Sequence, residues 1–293
     1  MSAAGSRRLA KMLWMLPAGV LIGGVLLYPA VRAVWLSLTH HNLSTGFTAE
    51  FAGPDNFLRL LADSRLRSGL VVTSVFVAVS VVLEFVLGLA LALAASRLIR
   101  GQHLVRTLLL VPWTLPTAVV GVLWAWILND QFGILNHLLV TTGVLAEPVA
   151  WLAQPSTALG SMIVADVWKT VPFVFLIFLA GLQAIPAELY EAVAMDGGGR
   201  RAAFRYVTWP HLVPFAFIAL IFRIIQAFAV FDLVYVLTGG GPGGATETLS
   251  VYAYQTTMRY LDFSYGSTIA VALVIVLALV ALVLRRLLRE VTA

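Results

Sequence analysis

Long apolar runs separated by short polar segments dominate the chain. Six of them reach roughly 20 residues, the length a helix needs to cross a bilayer. They cover residues 12–38, 69–95, 104–128, 158–185, 212–237 and 267–288. Each is apolar on every face rather than along one stripe, which favours membrane spans over the core helices of a water-soluble protein. Pro112 and Pro116 in the third run and Pro172 in the fourth break the helical hydrogen-bond ladder. A membrane tolerates such breaks only where neighbours or water satisfy the freed carbonyls, so bends are expected there.

Composition agrees. Hydrophobic residues make up 60% of the 293 positions and charged residues 11%, against about 25% charged in an ordinary soluble domain. There is no cysteine, which removes disulfides and thiolate metal sites. The net charge of +5 is scattered in small groups beside the apolar runs, a pattern of membrane orientation rather than of nucleic-acid binding. With a cytoplasmic N-terminus, twelve Lys and Arg fall in inside segments: Arg7, Arg8, Lys11, Arg97, Arg100, Arg106, Arg200, Arg201, Arg205, Arg285, Arg286 and Arg289. Four fall outside (Arg59, Arg65, Arg67, Arg259) and three within spans (Arg32, Lys169, Arg223). This bias predicts a cytoplasmic N-terminus over 1–11, a transmembrane domain over 12–290 and both termini inside. Extracytoplasmic loops are expected at 39–68, 129–157 and 238–266. The first run has a basic start, but it is too long for a signal peptide and shows no convincing small-x-small site at its end, so it reads as an uncleaved span. No internal repeat or linker divides the chain.

One cytoplasmic stretch stands out, "PAELYEAVAMDGGGRRAAFRYVTWPHLVP" from position 186. Pro186 suits the first turn of a helix, and Glu188 and Glu191 complement its positive N-terminal end. Gly197, Gly198 and Gly199 stop it. The helix is short, about 10 residues or 15 Å. Leu189, Ala192, Val193 and Asp196 share one small, mostly apolar face. Such a helix is not stable alone in water, so it should be docked against something. An amphipathic helix lying on the membrane or on its own chain satisfies the same pattern.

The stretch resembles the EAA loop of membrane subunits of ATP-binding-cassette (ABC) importers. The motif reads Glu-Ala-Ala, then Asp-Gly-Ala two residues on, then Ile-x-Leu-Pro. Here the matching residues are Glu191-Ala192-Val193, Asp196-Gly197-Gly198 and Val207-Thr208-Trp209-Pro210. Val193, Gly198 and Trp209 replace Ala, Ala and Leu. Three further segments are similar to the maltose/glycerol-3-phosphate-type sugar permeases of that family: "FAGPDNF" from 51, "VPWTLPTAVVGVLWAWILNDQFGILN" from 111 and "YVLTGGGPGGATETLSVYAYQ" from 235. The resemblance covers nearly the whole chain. It implies an all-α, polytopic integral membrane protein with six transmembrane helices, the permease bundle of a type I ABC importer. It also implies an EAA coupling loop over 186–210, in which Glu188, Glu191, Ala192, Asp196, Gly197 and Pro210 contact a cytoplasmic ATPase dimer. A second permease subunit and an extracytoplasmic solute-binding protein are implied as partners, in the bacterial or archaeal plasma (inner) membrane. No cofactor is expected on this chain, because ATP and Mg belong to the partner ATPase. The chain itself is not expected to be an enzyme. Maltodextrins, other disaccharides, monosaccharides and glycerol phosphates all remain open as solutes.

The run Gly239-Gly240-Gly241-Pro242-Gly243-Gly244-Ala245-Thr246 nearly matches a phosphate-binding loop, but Ala245 stands where lysine must reach the phosphates. It reads instead as a glycine-rich bend able to meet a partner. His40-His41 lacks metal-site spacing and reads as interfacial. Trp14, Trp35 and Trp113 suit the interface belt or helix packing. Arg32, Glu84, Asp166, Lys169, Arg223 and Asp232 lie within or at the edges of apolar runs, where each costs about 2.5–3.5 kcal/mol at a helix centre. They should therefore face protein or water and pair. Asp166 and Lys169, three apart, are able to pair with each other. Structural pairing or snorkelling is the expectation for Arg32 and Glu84. A polar cavity is the expectation for the fourth and fifth spans, because the resemblance implies solute contacts there. The candidates for the substrate path are Asp166, Trp168, Lys169, Gln226, Phe228 and Asp232. An ion-gradient-driven secondary transporter is the alternative, but neither two similar halves nor paired interrupted helices are seen. An intramembrane enzyme would need a catalytic motif inside the spans, and none is present.

Overall fold

The computed structural model describes residues 14–15, 17–43, 46, 50–96 and 102–292. They divide into two compact units, one from residues up to 63 with 253–275, the other from 64–252 with 276–292.

In the first unit a long helix, α1 (Pro17–Ser37), is followed by a minimal antiparallel pair, β1 (Thr39–His40) and β2 (Glu50–Phe51), with Thr39 opposite Phe51. A short helix α2 (Asp55–Ala62) follows. Here "FAGPDNF" acquires a physical reason. The Asn56 amide is buried and donates to the carbonyls of Ser37 (3.1 Å) and Thr39 (2.8 Å), capping the end of α1. Arg59 lies over the Tyr265 ring at 3.9 Å and pairs with Asp262 at 3.2 Å. The side chains of α1 are almost all exposed, Arg32 among them, as expected of a surface facing lipid or another chain.

The second unit holds the helices that matter for function. They are α3 (Ser64–Ser96), α4 (Gln102–Thr114), α5 (Thr117–Ile127), α6 (Ile134–Thr141), α7 (Pro155–Gln183), α8 (Ala187–Met195), α9 (Arg200–Phe228), α10 (Asp232–Leu237) and α11 (Leu249–Tyr254). The last helix, α12 (Phe263–Thr292), begins among the residues of the first unit. Among the described residues, five helices are long and apolar enough to cross a membrane, and a sixth span results if α4 and α5 count as one. That pair differs from the straight third span expected for 104–128. It bends by 93° between Thr114 and Thr117, where Pro116 lacks an N–H and biases Leu115 away from the helical region. The fifth span also differs. It starts at Arg200 rather than 212, passes a π turn at Phe204–Thr208, and ends at Phe228 rather than 237. The residues up to 237 form the separate helix α10. Pro172, by contrast, sits inside the unbroken α7.

The unit has two apolar clusters. One gathers Phe76, Val120, Met162, Leu233 and Val251, the other Ala92, Val174, Phe175, Phe178 and Leu212. Between α3 and α7 the backbones approach so closely that a Cβ on Gly88 would lie 2.9 Å from Val174 Cγ1 and 3.1 Å from the Phe175 nitrogen. Only glycine fits there without moving one helix.

Two polar side chains organise the connecting loops. Asn136 spends both amide groups: Nδ2 donates to the carbonyls of Asn129 and Val149, and Oδ1 accepts from Val149 N and Trp151 Nε1. Arg65, in the first turn of α3, makes a bidentate pair with Glu247 (2.8 and 2.6 Å) and lies 4.6 Å from the Tyr252 ring. That pair ties down the glycine-rich bend. The bend follows a helix rather than a strand, and Thr246, Glu247 and Thr248 within it are buried. It thus lacks the strand that precedes a phosphate-binding loop.

At the centre of the unit, three spans meet through charge. Arg223 of α9 donates from Nε to Glu84 Oε2 of α3 (2.5 Å), and from Nη2 to Glu84 Oε1 (2.7 Å) and to Asp166 Oδ2 of α7 (2.9 Å). Their side chains are 3%, 0% and 7% exposed. Thr170 Oγ1 reaches both Glu84 Oε1 and the Asp166 carbonyl. Asp166 therefore pairs with Arg223 of the next span, and not with Lys169 one turn away. Removing one member of a buried ion pair strands the other charge, at a cost of about 3–5 kcal/mol. Arg223→Met should therefore lower the heat resistance of the detergent-solubilised protein sharply, as read by size-exclusion after heating. Replacing all three charges together (Glu84→Leu, Asp166→Leu, Arg223→Met) should recover most of the loss. An Arg223→Met protein as heat-resistant as the wild type would show that the triad does not hold the bundle.

Candidate functional site

Two features are the candidates for function, and the α7–α8–α9 segment contributes to both. The first is the loop between the fourth and fifth spans. Pro186 is the residue before the first helical turn, with extended backbone (ψ 135°), and α8 follows at once. Its C-terminus closes by two hydrogen bonds, Gly197 N to Ala194 O (3.1 Å) and Gly198 N to Val193 O (2.8 Å). Gly197 takes the left-handed conformation (φ +76°) that this closure requires. Asp196 is thus the last residue before the turn rather than part of a longer helix. The Tyr190 hydroxyl lies 3.1 Å from Thr208 Oγ1, tying α8 to the start of α9.

No side chain of α8 is buried. Glu188, Glu191 and Ala192 are exposed, as are Asp196, Gly197 and Pro210. Pro210 cannot donate to the Tyr206 carbonyl, and the backbone passes through its π turn just before that point. Sequence reasoning missed two residues here. Met195 is 88% exposed and Tyr206 68%, large groups left mostly uncovered by the described residues. Met195 lies four residues after Glu191, so helical spacing was the signal that could have found it.

The second feature is a polar recess of about 280 Å³, close to the lower end of small-ligand pockets. Asp166, Lys169 and Thr170 of α7 line it, with Arg223 and Gln226 of α9. Trp113 and Thr117 come from the two sides of the bent third span, and Ala229–Asp232 from the break after α9. Each break therefore serves the recess: without the bend at Pro116 and the stop at Phe228, these groups would lie along straight helices. Gln226 Oε1 accepts from Arg223 Nη1 (3.2 Å), leaving its amide NH₂ to the recess.

Of the six residues proposed for the substrate path, four meet here: Asp166, Lys169, Gln226 and Asp232. Asp232 lies at the start of α10, beyond the span in which the apolar run placed it. Trp168 does not join them. It points the other way, edge-on to Trp124 (centroids 5.9 Å apart), in an apolar recess with Leu83, Leu87, Pro112 and Pro172. Phe228 is buried and does not line the recess. Both placements have one cause: an aromatic residue beside polar ones on a helix says nothing of which neighbour its face meets. Arg223 and Trp113 are additions. Arg223 was visible as an in-span charge, whereas Trp113 had only an interfacial or packing reading.

His40 and His41 belong to the first unit. His40 lies 3.9 Å from Asp55, and the His41 ring stacks on Phe263. Among the described residues, no three His, Asp or Glu side chains converge as a metal site would need.

Comparison with known proteins gives a consistent picture. The chain is 39% identical over 259 residues (88% of this chain, 86% of the relative) to the trehalose/maltose transport system permease protein MalF of Thermococcus litoralis. It is 37% identical over 266 residues (91% and 86%) to the sulfoquinovosyl glycerol transport system permease protein SmoG of Agrobacterium fabrum. Its fold is similar to a chain of a bacterial ABC transporter involved in the import of the acidic polysaccharide alginate, with a TM-score of 0.85, 20% identity and 98% of each chain covered. Residues 84–290 match the family described as "Binding-protein-dependent transport system inner membrane component". The chain belongs to this family and is a multi-pass membrane permease subunit of an ABC importer.

Proposed function

We propose that the chain forms one half of the path for a hydroxylated, sugar-like solute, and that α8 is gripped by a cytoplasmic ATPase dimer. An extracytoplasmic binding protein delivers the solute, and a second permease subunit completes the path. ATP and Mg stay on the ATPase, and this chain couples and conducts without chemistry of its own. Both termini then lie on the ATPase side. The relatives named for trehalose/maltose and for sulfoquinovosyl glycerol support a sugar-type solute. Family membership gives the ion-gradient alternative no support.

The observation that carries the coupling role is α8 itself. It is closed at its C-terminus by the Gly197–Gly198 turn, tied back by Tyr190, and yet buries none of its side chains. A helix of nine residues is too short to persist in water by propensity. Its exposed Ala192 permits close approach, and Met195 supplies an apolar anchor for a groove. The departures from the EAA motif also fit one another. A Cβ on Gly198 would lie 2.6 Å from Val193 Cγ1. It would also lie 2.8 Å from the Val193 carbonyl oxygen, so Gly198 relieves a contact to which both the Val193 side chain and its backbone contribute.

Two measurements in reconstituted vesicles test this. Glu191→Lys and Gly197→Trp should leave the chain inserted but abolish solute-stimulated ATP hydrolysis. Normal coupling in either variant would sink the proposal. Gly198→Ala should weaken coupling, since overpacking costs about 1–3 kcal/mol, and Val193→Ala added to it should restore part of the loss, because the Val193 carbonyl oxygen 2.8 Å from the new Cβ stays in place. A double variant no better than Gly198→Ala alone would show that the two positions do not compensate.

A further inference from the structure

Which solutes pass is a question of charge, and the recess has an arrangement that bears on it. Its charged lining consists of Asp166, Asp232, Lys169 and Arg223, with Glu84 just behind Arg223. Two carboxylates and two cations line the recess, and Glu84, which does not line it, pairs with Arg223 from behind. We propose that the recess selects by charge, accepting neutral polyhydroxylated solutes and rejecting the phosphate esters of the same compounds. The proposal rests on the reading that this recess lies on the solute path.

Arg223 is the group that would ordinarily take a phosphate, because its planar fork matches two phosphate oxygens. That fork is already spent. Of its five N–H groups, Nε and both on Nη2 serve Glu84 and Asp166, and one on Nη1 serves Gln226. One N–H is left, enough for a hydroxyl but not for bidentate capture. Freeing the fork would strand two carboxylates in the apolar interior. Among the described lining residues, Lys169 is then the single cation not committed to an ion pair within 4.0 Å. A phosphate monoester brings about −1.5 to −2 charges at neutral pH. It would meet one uncommitted ammonium beside the Asp232 carboxylate, while Arg223 is neutralised by Glu84 and Asp166, at close range and partly out of water.

A neutral polyol meets a better match. Its hydroxyls both donate and accept. Asp232 accepts, the Gln226 amide and the Lys169 ammonium donate, and the Thr117 hydroxyl does both. The Trp113 and Phe231 rings, which also line the recess, offer faces for the C–H side of a sugar.

The test uses matched pairs that differ only by the ester: glycerol and glycerol 3-phosphate, glucose and glucose 6-phosphate, trehalose and trehalose 6-phosphate. Binding of each labelled compound to the purified whole importer, without its binding protein, is measured by equilibrium dialysis. In the pair that binds best, the neutral member should bind at least tenfold more tightly, and Asp232→Asn should narrow the gap. Equal binding, or preference for the ester, overturns the charge selection and leaves the path reading intact. Failure of every pair to bind overturns the recess as a solute site. The path reading itself is tested separately, by uptake into vesicles with the binding protein present. Asp232→Asn, Gln226→Ala and Trp113→Ala should each reduce uptake, and uptake unchanged in all three overturns the path.

Discussion

Arg223 does not lose its proton in a protein, and its side chain is only 3% exposed within a bundle of apolar helices. Lipid and packed side chains give such a charge nothing to bind, so its neighbours must. Glu84 and Asp166 do so from two other spans, with Thr170 and Gln226 completing the arrangement. Three helices are thereby fixed in rotation and depth at one level. The glycine contact at Gly88 holds α3 and α7 close along the same pair. Apolar packing alone would tolerate a helix turning about its axis, whereas a bidentate ion pair does not.

The triad also joins the two functional features. α7 and α9 enter and leave the loop that carries α8, and both contribute to the triad and to the recess. A displacement applied to α8 is delivered to helices bonded to each other and to α3. The fold thereby links the exposed helix α8 to the polar lining of the recess through short covalent connections and one ionic tie. The same tie occupies the guanidinium, leaving one of its five N–H groups toward the recess.

The breaks in the spans serve the same end. Pro116 turns the third span by 93° and brings Trp113 and Thr117 to the recess from either side of the bend. The stop after Phe228 frees a short non-helical stretch before α10, which brings Asp232 to the edge. Non-helical backbone at such depth is tolerated where it lines a cavity or is buried in protein, and it is used here in that way.

Much of this was legible in the sequence for a simple reason: hydropathy, charge bias and glycine chemistry act locally. Five of the six spans appear near their apolar runs, and the short helix between Pro186 and the glycines ends through the closure that Gly197 and Gly198 allow. What only the tertiary structure decided is partnership. Nothing local tells Asp166 to pair with Arg223, 57 residues on, rather than with Lys169 on its own helix. Nor does anything local turn Trp168 away from the recess and Trp113 towards it. Spacing specifies which residues share a helix face, but the side chain that meets that face comes from another span, and only packing brings the two together.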